Sequence, residues 1–267
     1  MQPSVRPAGE LLREWRLRRR LSQLDLACDA GISSRHLSFL ETGRARPSRE
    51  MVLRLAERLD VPLRARNTLL VAAGFAPIYP ERPLSDPALS AARRAVDLVL
   101  AGHEPYPALA VDRHWTLVAA NRAVQPLLAG IAPALLEPPV NVLRLTLHPD
   151  GLADRLANPH EWRAHLFHRL QRQVEVSGDA VLSNLLEELR GYPAPMTTER
   201  ETKVDPEAFV VPFRLRTEAG TLSFFSTTTV FGTPADITLS ELALETFFPA
   251  DAETARIWRS LAEQPAD

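Results

Sequence analysis

Residues 160–168 read HEWRAHLFH and hold three of the seven histidines in the chain. A zinc-protease helix needs H-E-x-x-H, which sets its two imidazoles about 40° apart on the helix wheel. Here His165 follows His160 by one residue more, which turns the pair about 140° apart. His165 and His168 share a face at i, i+3, but two imidazoles without a thiolate or carboxylate at matching spacing make a poor metal site. No G-x-S-x-G, Walker A or G-x-G-x-x-G run occurs, so nucleophile, phosphate-loop and dinucleotide chemistry lack a local signal. No catalytic residue, metal or tightly held cofactor is expected, and the chain does not read as an enzyme. Arg35 points to different chemistry. Its fork matches O6 and N7 of guanine, a pairing that discriminates between bases by about 1–3 kcal/mol.

The elements around Arg35 support that reading. Leu21 to Pro47, LSQLDLACDAGISSRHLSFLETGRARP, predicts two short helices joined by a tight turn. Ser22 caps the first, with Leu24, Ala27 and Cys28 as its apolar stripe. Gly31 supplies the positive φ of a C-terminal cap, and Ile32 closes the turn. Ser33 caps the second helix, whose Leu37, Leu40 and Glu41 follow at helical spacing before Gly43. This is helix-turn-helix geometry, in which the second helix enters the major groove of double-stranded DNA. The run S-Q-x-x-L-A-x-x-A-G-I-S-x-x-x-L-S-x-L-E-x-G-x-x-x-P, from Ser22 to Pro47, resembles the signature of the XRE/Cro-type helix-turn-helix family.

The recognition-helix residues expected at the DNA are Ser33, Ser34, Arg35, Ser38 and Phe39. Phe39 departs from the polar or basic residue that the family often carries, and either packs on a thymine methyl or turns back into the protein. His36 is expected to support packing. Gln23, at a family position on the N-terminus of the first helix, is a phosphate anchor, with Thr42, Arg44 and Arg46 as further phosphate contacts. Glu41 is expected to be structural, paired with Arg13 or a turn amide. Arg13, Arg16 and Arg18 to Arg20 read as an ordinary solvated helix face. Cys28, the single cysteine, reads as a buried structural thiol in a reducing cytoplasm.

The formal charge of −2 hides an asymmetry. Residues 1–82 carry 15 Arg and no Lys against 9 acidic residues, while the remainder carries 16 basic and 24 acidic residues. A basic module joined to an acidic one suits a DNA-reading head on a body that does not bind DNA. No run approaches the length of a membrane-spanning helix and no apolar h-region stands near the first residues, so no membrane partner and no secretory signal are expected.

Five helices are expected over residues 9–74: about Gly9–Arg20 with Leu11, Leu12, Trp15 and Leu17 inward, the two above, one after Ser48, and one from about Leu63 to Gly74. Residues 75–87 hold Pro77, Pro80, Pro83 and Pro87 and predict a stiff linker. From residue 88 to 267 the rhythm changes. A helix over Leu89–Ala101 is followed by strands Ala108–Val111 and Trp115–Ala119 around a turn at Asp112–His114. Asn121 is expected to cap a short helix, Val142–Leu147 to form one short element, and Asn158 to cap a helix starting at Pro159. A further helix starts at Asp179. Strands are expected over Phe209–Arg216, Thr221–Phe231 and Ile237–Phe248. The expected fold class is an all-α five-helix head, similar to the compact Cro-like module, followed by an α+β domain with an antiparallel sheet, whose element order resembles a PAS-like fold.

PYPALAVDRHWTLVAAN (residues 105–121), together with the closing LETFFPAD (residues 244–251), resembles the MmyB-like ligand-binding domain. That resemblance implies a sensor of an apolar small molecule, with a bound fatty-acyl chain or similar apolar ligand as the suggested occupant. The candidate pocket residues are Trp162, Phe167, Leu182, Leu185, Leu186, Phe213, Phe224 and Phe225; facing layers of this kind are also what a plain core looks like. Period 2 sends Phe224 and Phe225 to opposite sheet faces. One small head makes few base contacts, so a homodimer reading paired half-sites is expected. The rival expectations are a constitutive DNA-binding protein whose second domain only dimerises, and an enzyme with a DNA-binding appendage.

Overall fold

A computed structural model describes residues 6–193 and 210–262. The chain divides into two compact units, one of residues 1–82 with 233–240, the other of residues 83–232 with 241–267.

The first unit holds α1 (Ala8–Arg18), α2 (Gln23–Ala30), α3 (Ser34–Glu41), α4 (Arg49–Arg58) and α5 (Leu63–Ala72). Ser22, Ser33 and Ser48 each accept a backbone N–H three residues on, so the serines start α2, α3 and α4 as expected. Asp25 completes a capping box with Ser22, and Gly31 ends α2 in the left-handed conformation at φ 66°. Leu12, Leu26, Leu37, Leu40, Val52, Leu55, Leu59 and Leu70 meet in one buried cluster. Two expectations fail here. The buried stripe of α2 is Leu26, Ala27 and Ala30; Leu24 is 62% exposed and Cys28 is exposed. Leu17 also faces solvent. Each helix is short enough that a wheel shifted by one residue fits nearly as well, and packing decides.

The expected linker 75–87 is not a free spacer over its first half. Phe75 and Ile78 pack against the helical core. Asn67 on α5 accepts the N–H groups of Ile78 and Tyr79 and donates to the Tyr79 carbonyl. Residues 233–240 complete this unit. There Ile237 N–H donates to Pro80 O at 2.9 Å, Thr238 Oγ1 donates to Arg82 O at 2.6 Å, and Asp236 pairs with Arg82 at 3.3 Å.

The second unit runs through α6 (Ser90–Gly102), β1 (Ala108–Val111), β2 (Leu117–Ala120), α7 (Pro133–Leu136), α8 (Val142–Leu147), α9 (Pro159–Ser177), α10 (Ala180–Gly191), β3 (Phe213–Thr217) and β4 (Gly220–Val230). The chain then makes α11 (Ile237–Ser240), which belongs to the first unit, and returns as β5 (Ala243–Pro249) and α12 (Ala252–Ala262). The strands form one antiparallel sheet in the order β2-β1-β5-β4-β3. One face packs on Trp162, Leu166 and Leu170 of α9, on α10, and on Trp258 of α12. The other packs Ala108, Ala110 and Leu244 against Val96 and Leu100 of α6.

Several boundaries move. Trp115 adopts φ 66°, so the turn runs through it and strand pairing begins at Leu117. Asp112 Oδ1 accepts the N–H groups of His114 and Thr116 and holds that turn. The single strand expected over Ile237–Phe248 is helix α11 followed by β5. Neither asparagine caps with its side chain. Asn121 instead accepts from Ala108 N–H and donates to the carbonyls of Leu100 and Tyr106. Asn158 donates to Glu161 and to the Pro212 carbonyl, tying α9 to the approach of β3. Phe209 lies outside the described residues.

Candidate nucleic-acid interface and effector domain

Arg16 and Glu41 set the geometry of the helix-turn-helix. Arg16 Nε donates to Glu41 Oε1 at 2.7 Å and its Nη2 to Oε2 at 2.9 Å, while Nη1 donates to the Leu21 carbonyl. Gln23 Nε2 also donates to Glu41 Oε2, at 2.8 Å. One carboxylate thus ties α1, the start of α2 and the end of α3. Burial by itself pushes the Glu41 carboxyl up, but the hydrogen bonds from Arg16 and Gln23 outweigh it and hold the group below the usual carboxylate range. Arg16 is therefore not part of a solvated face, and Glu41 takes Arg16 rather than Arg13 as its hydrogen-bonded partner. Gly9 serves the same junction: a Cβ there would sit 2.2 Å from the Leu40 carbonyl oxygen, so only glycine lets α1 approach the end of α3.

With its inner side fixed, α3 turns a continuous outer face to solvent. Ser34 and Arg35 are exposed, and Ser38 and Phe39 are half-buried. Ser33 spends its hydroxyl on the His36 N–H. Thr42 donates its hydroxyl proton to Ser38 O at 2.7 Å, which leaves it no proton for a phosphate in this rotamer. Arg44 and Arg46 are exposed just beyond the helix. The guanidinium carbons of Arg35 and Arg44 lie over the Phe39 ring, 5.4 and 5.9 Å from its centroid. Phe39 was expected against a thymine methyl or the protein; no local pattern in the sequence places two cations on its ring.

In the second unit Trp162, Leu182, Leu185, Leu186, Phe213 and Phe224 come together in one buried cluster, with Phe167 half-buried at its edge. Phe225 is not with them. It lies on the opposite sheet face, stacked on Phe248 at 5.2 Å. His165 stacks on Trp162, and burial pushes its imidazole down, toward the neutral form. Among the described residues no group of three His, Cys, Asp or Glu stands ready to hold a metal ion. A groove of about 950 Å³ opens elsewhere, with Leu127, Leu222, Trp258 and Leu261 among its apolar walls and Arg155 and Arg216 among its polar ones. Arg155 donates to the carbonyls of Leu127 and Ala129, Arg216 to that of Asp154. Burial lowers the Arg155 guanidinium from its ordinary value. The expected pocket residues do not line this groove, whose walls come from segments far apart in sequence; no spacing rule joins them.

No helix among the described residues is long and apolar enough to cross a membrane. No curated protein matches the chain. Among solved structures, one described as an RNA-binding light-oxygen-voltage receptor is similar at 15% identity and a TM-score of 0.28, with 95% of this chain and 60% of that chain covered. This chain thus spans about 60% of the length of that one. A helix-turn-helix family matches residues 12–65, and the family described as the MmyB-like transcription regulator ligand binding domain matches residues 92–261. With that ligand-binding domain matched over more than half of the chain and a helix-turn-helix ahead of it, the chain belongs to the MmyB-like transcription regulators.

Proposed function

We propose that this regulator acts in the cytoplasm as a homodimer that reads a two-fold operator, and that its second domain binds an apolar small molecule with an acidic head, a fatty-acyl chain being the class in view. The observation that carries the DNA half is the outer face of α3. It presents Arg35 beside Ser34 and Ser38, while Arg16, Glu41 and Gln23 lock its inner side. Gln23 keeps a second amide proton for a phosphate at the start of α2. The groove supports the ligand half. Leu127, Leu222, Trp258 and Leu261 give it an apolar side; Glu218 also lines it, but the guanidiniums of Arg155 and Arg216 bond to carbonyls, with no carboxylate paired to either among the described residues. An acidic head beside Arg155 would supply the charge that its burial leaves uncompensated.

Duplexes selected from a random library by the full chain supply the operator. Arg35→Ala then relaxes preference at one base pair by about 1–3 kcal/mol. Arg44→Ala weakens every duplex evenly and flattens the salt slope by about one unit. Equal weakening on selected and scrambled duplexes by both variants overturns the base-reading role of Arg35. Organic extraction of purified protein, followed by mass spectrometry, tests the ligand half. An empty extract with unchanged operator binding favours the reading in which the second domain only dimerises.

A further inference from the structure

We infer that Phe39 is a positioning residue, whose ring holds the guanidiniums of Arg35 and Arg44 ready for DNA without itself reading a base. The inference rests on the operator-reading role of Arg35 given above. Arg35 and Phe39 stand at i, i+4 on α3, so the arginine lies one turn back on the same face. Arg44 arrives from the other direction. Gly43 adopts φ 72°, and the Ala45 N–H donates to the Phe39 carbonyl at 3.1 Å, which folds the chain back against α3. Both guanidinium carbons then lie within 6 Å of the ring centroid, the range in which a cation is drawn to the aromatic face.

Arg6 and Arg18 pair with Glu14, Arg16 with Glu41, and Arg54 with Glu50, while other arginines of this unit, Arg46, Arg49 and Arg58 among them, pair with no carboxylate among the described residues. Arg35 and Arg44 make no ion pair and no side-chain hydrogen bond among the described residues; the Phe39 ring is the contact they share. A carboxylate there would hold them still but cancel the charge that DNA requires. An aromatic face restrains them and leaves charge and the in-plane N–H donors available. Long side chains fixed in advance lose less rotamer freedom on binding, so the ring favours association without a direct contact.

Full-length Phe39→Leu, Phe39→Tyr and Phe39→Trp are titrated on the selected operator, on single-base variants and across a salt series. Circular dichroism and thermal melting report on folding. Phe39→Leu is expected to weaken operator binding about 3–10-fold, as part of the ordering cost of two long side chains returns to the binding step. It also relaxes preference at the base pair that Arg35 reads and leaves the salt slope unchanged, since no charge is lost. Phe39→Tyr and Phe39→Trp retain both affinity and preference. In the Arg35→Ala background Phe39→Leu changes base preference no further.

A second arm replaces each operator thymine with deoxyuridine. If one replacement weakens the native protein and leaves Phe39→Leu untouched, Phe39 contacts that methyl and the positioning role is overturned. Unchanged base preference in Phe39→Leu, with Arg35→Ala relaxing it, overturns the positioning role alone. Should Arg35→Ala itself leave preference intact, the operator-reading role of Arg35 falls first. If Phe39→Leu fails to fold, loss of preference in the folded Phe39→Tyr and Phe39→Trp proteins overturns the inference.

Discussion

Each unit of the molecule buries a glutamate against an arginine, and the two pairs differ in what surrounds them. In the helical unit the Arg16 and Glu41 side chains are 8% and 1% exposed. In the α+β unit Glu245 on β5 is 6% exposed, but its partner Arg169 on α9 keeps a quarter of its surface. Arg169 also donates to Thr228 and lies over the Trp115 ring at 4.5 Å. A buried guanidinium whose other acceptor is one backbone carbonyl depends on its carboxylate for charge compensation. One that has other partners and an edge in water does not. The first pair therefore fixes one geometry of three helices, and the second is a tether between a helix and a sheet.

Glu41→Ala separates the two cases most strongly. It leaves Arg16 buried and uncompensated, at a cost of about 3–5 kcal/mol, seen as lost hydrogen-exchange protection in α1 to α3. Replacing both partners, as Arg16→Met with Glu41→Leu, restores most of that stability, because an apolar pair of similar volume carries no desolvation cost. Operator affinity is not restored, since the Gln23 amide has lost its acceptor. Glu245→Ala is expected to cost less, about 1–3 kcal/mol, with exchange rising in β5 and α9 only. Equal losses in the two variants would erase the distinction.

Acid gives a milder version of the same comparison. The folded Glu41 carboxyl titrates below its unfolded range, so its contribution is present at neutral pH. It begins to fade as pH drops below the ordinary glutamate value and is gone once pH has passed through the lowered folded value. Exchange protection in α1 to α3 should follow that window in the native protein and not in Glu41→Gln. The smallest effect concerns Cys28. An exposed thiol reacts fully with a disulfide reagent in the folded protein, without denaturant, and its modification leaves the melting temperature of the helical unit nearly unchanged.

How far the sequence could be read follows from where each signal lives. The serine caps and Gly31 act over three or four residues, so the ends of α2, α3 and α4 were legible. The identity of the buried stripe on α2 was not: an eight-residue helix offers too few turns for periodicity to decide between Leu24–Cys28 and Leu26–Ala30. Glu41 was recognised as structural, but its partner stands 25 positions away on α1, beyond any local rule. Asn121 and Asn158 sit where caps belong, but their Oδ1 atoms accept from the distant backbone N–H groups of Ala108 and Arg214. Ile237–Phe248 read as one strand because an apolar run does not show that its first part serves a different unit. Phe39 was legible only as an anomaly, since its meaning depends on a chain reversal at Gly43.

The stretch 233–240 has a consequence in time. During synthesis the first 82 residues leave the ribosome long before this stretch does. At about 5–20 residues per second, the wait is on the order of 10–30 s. Until then Arg82 lacks Asp236, and the Pro80 carbonyl lacks the Ile237 N–H that it accepts in the finished chain. The helical unit completes itself only after most of the other unit has been made, so a newly made head unaccompanied by a body is an unfinished one.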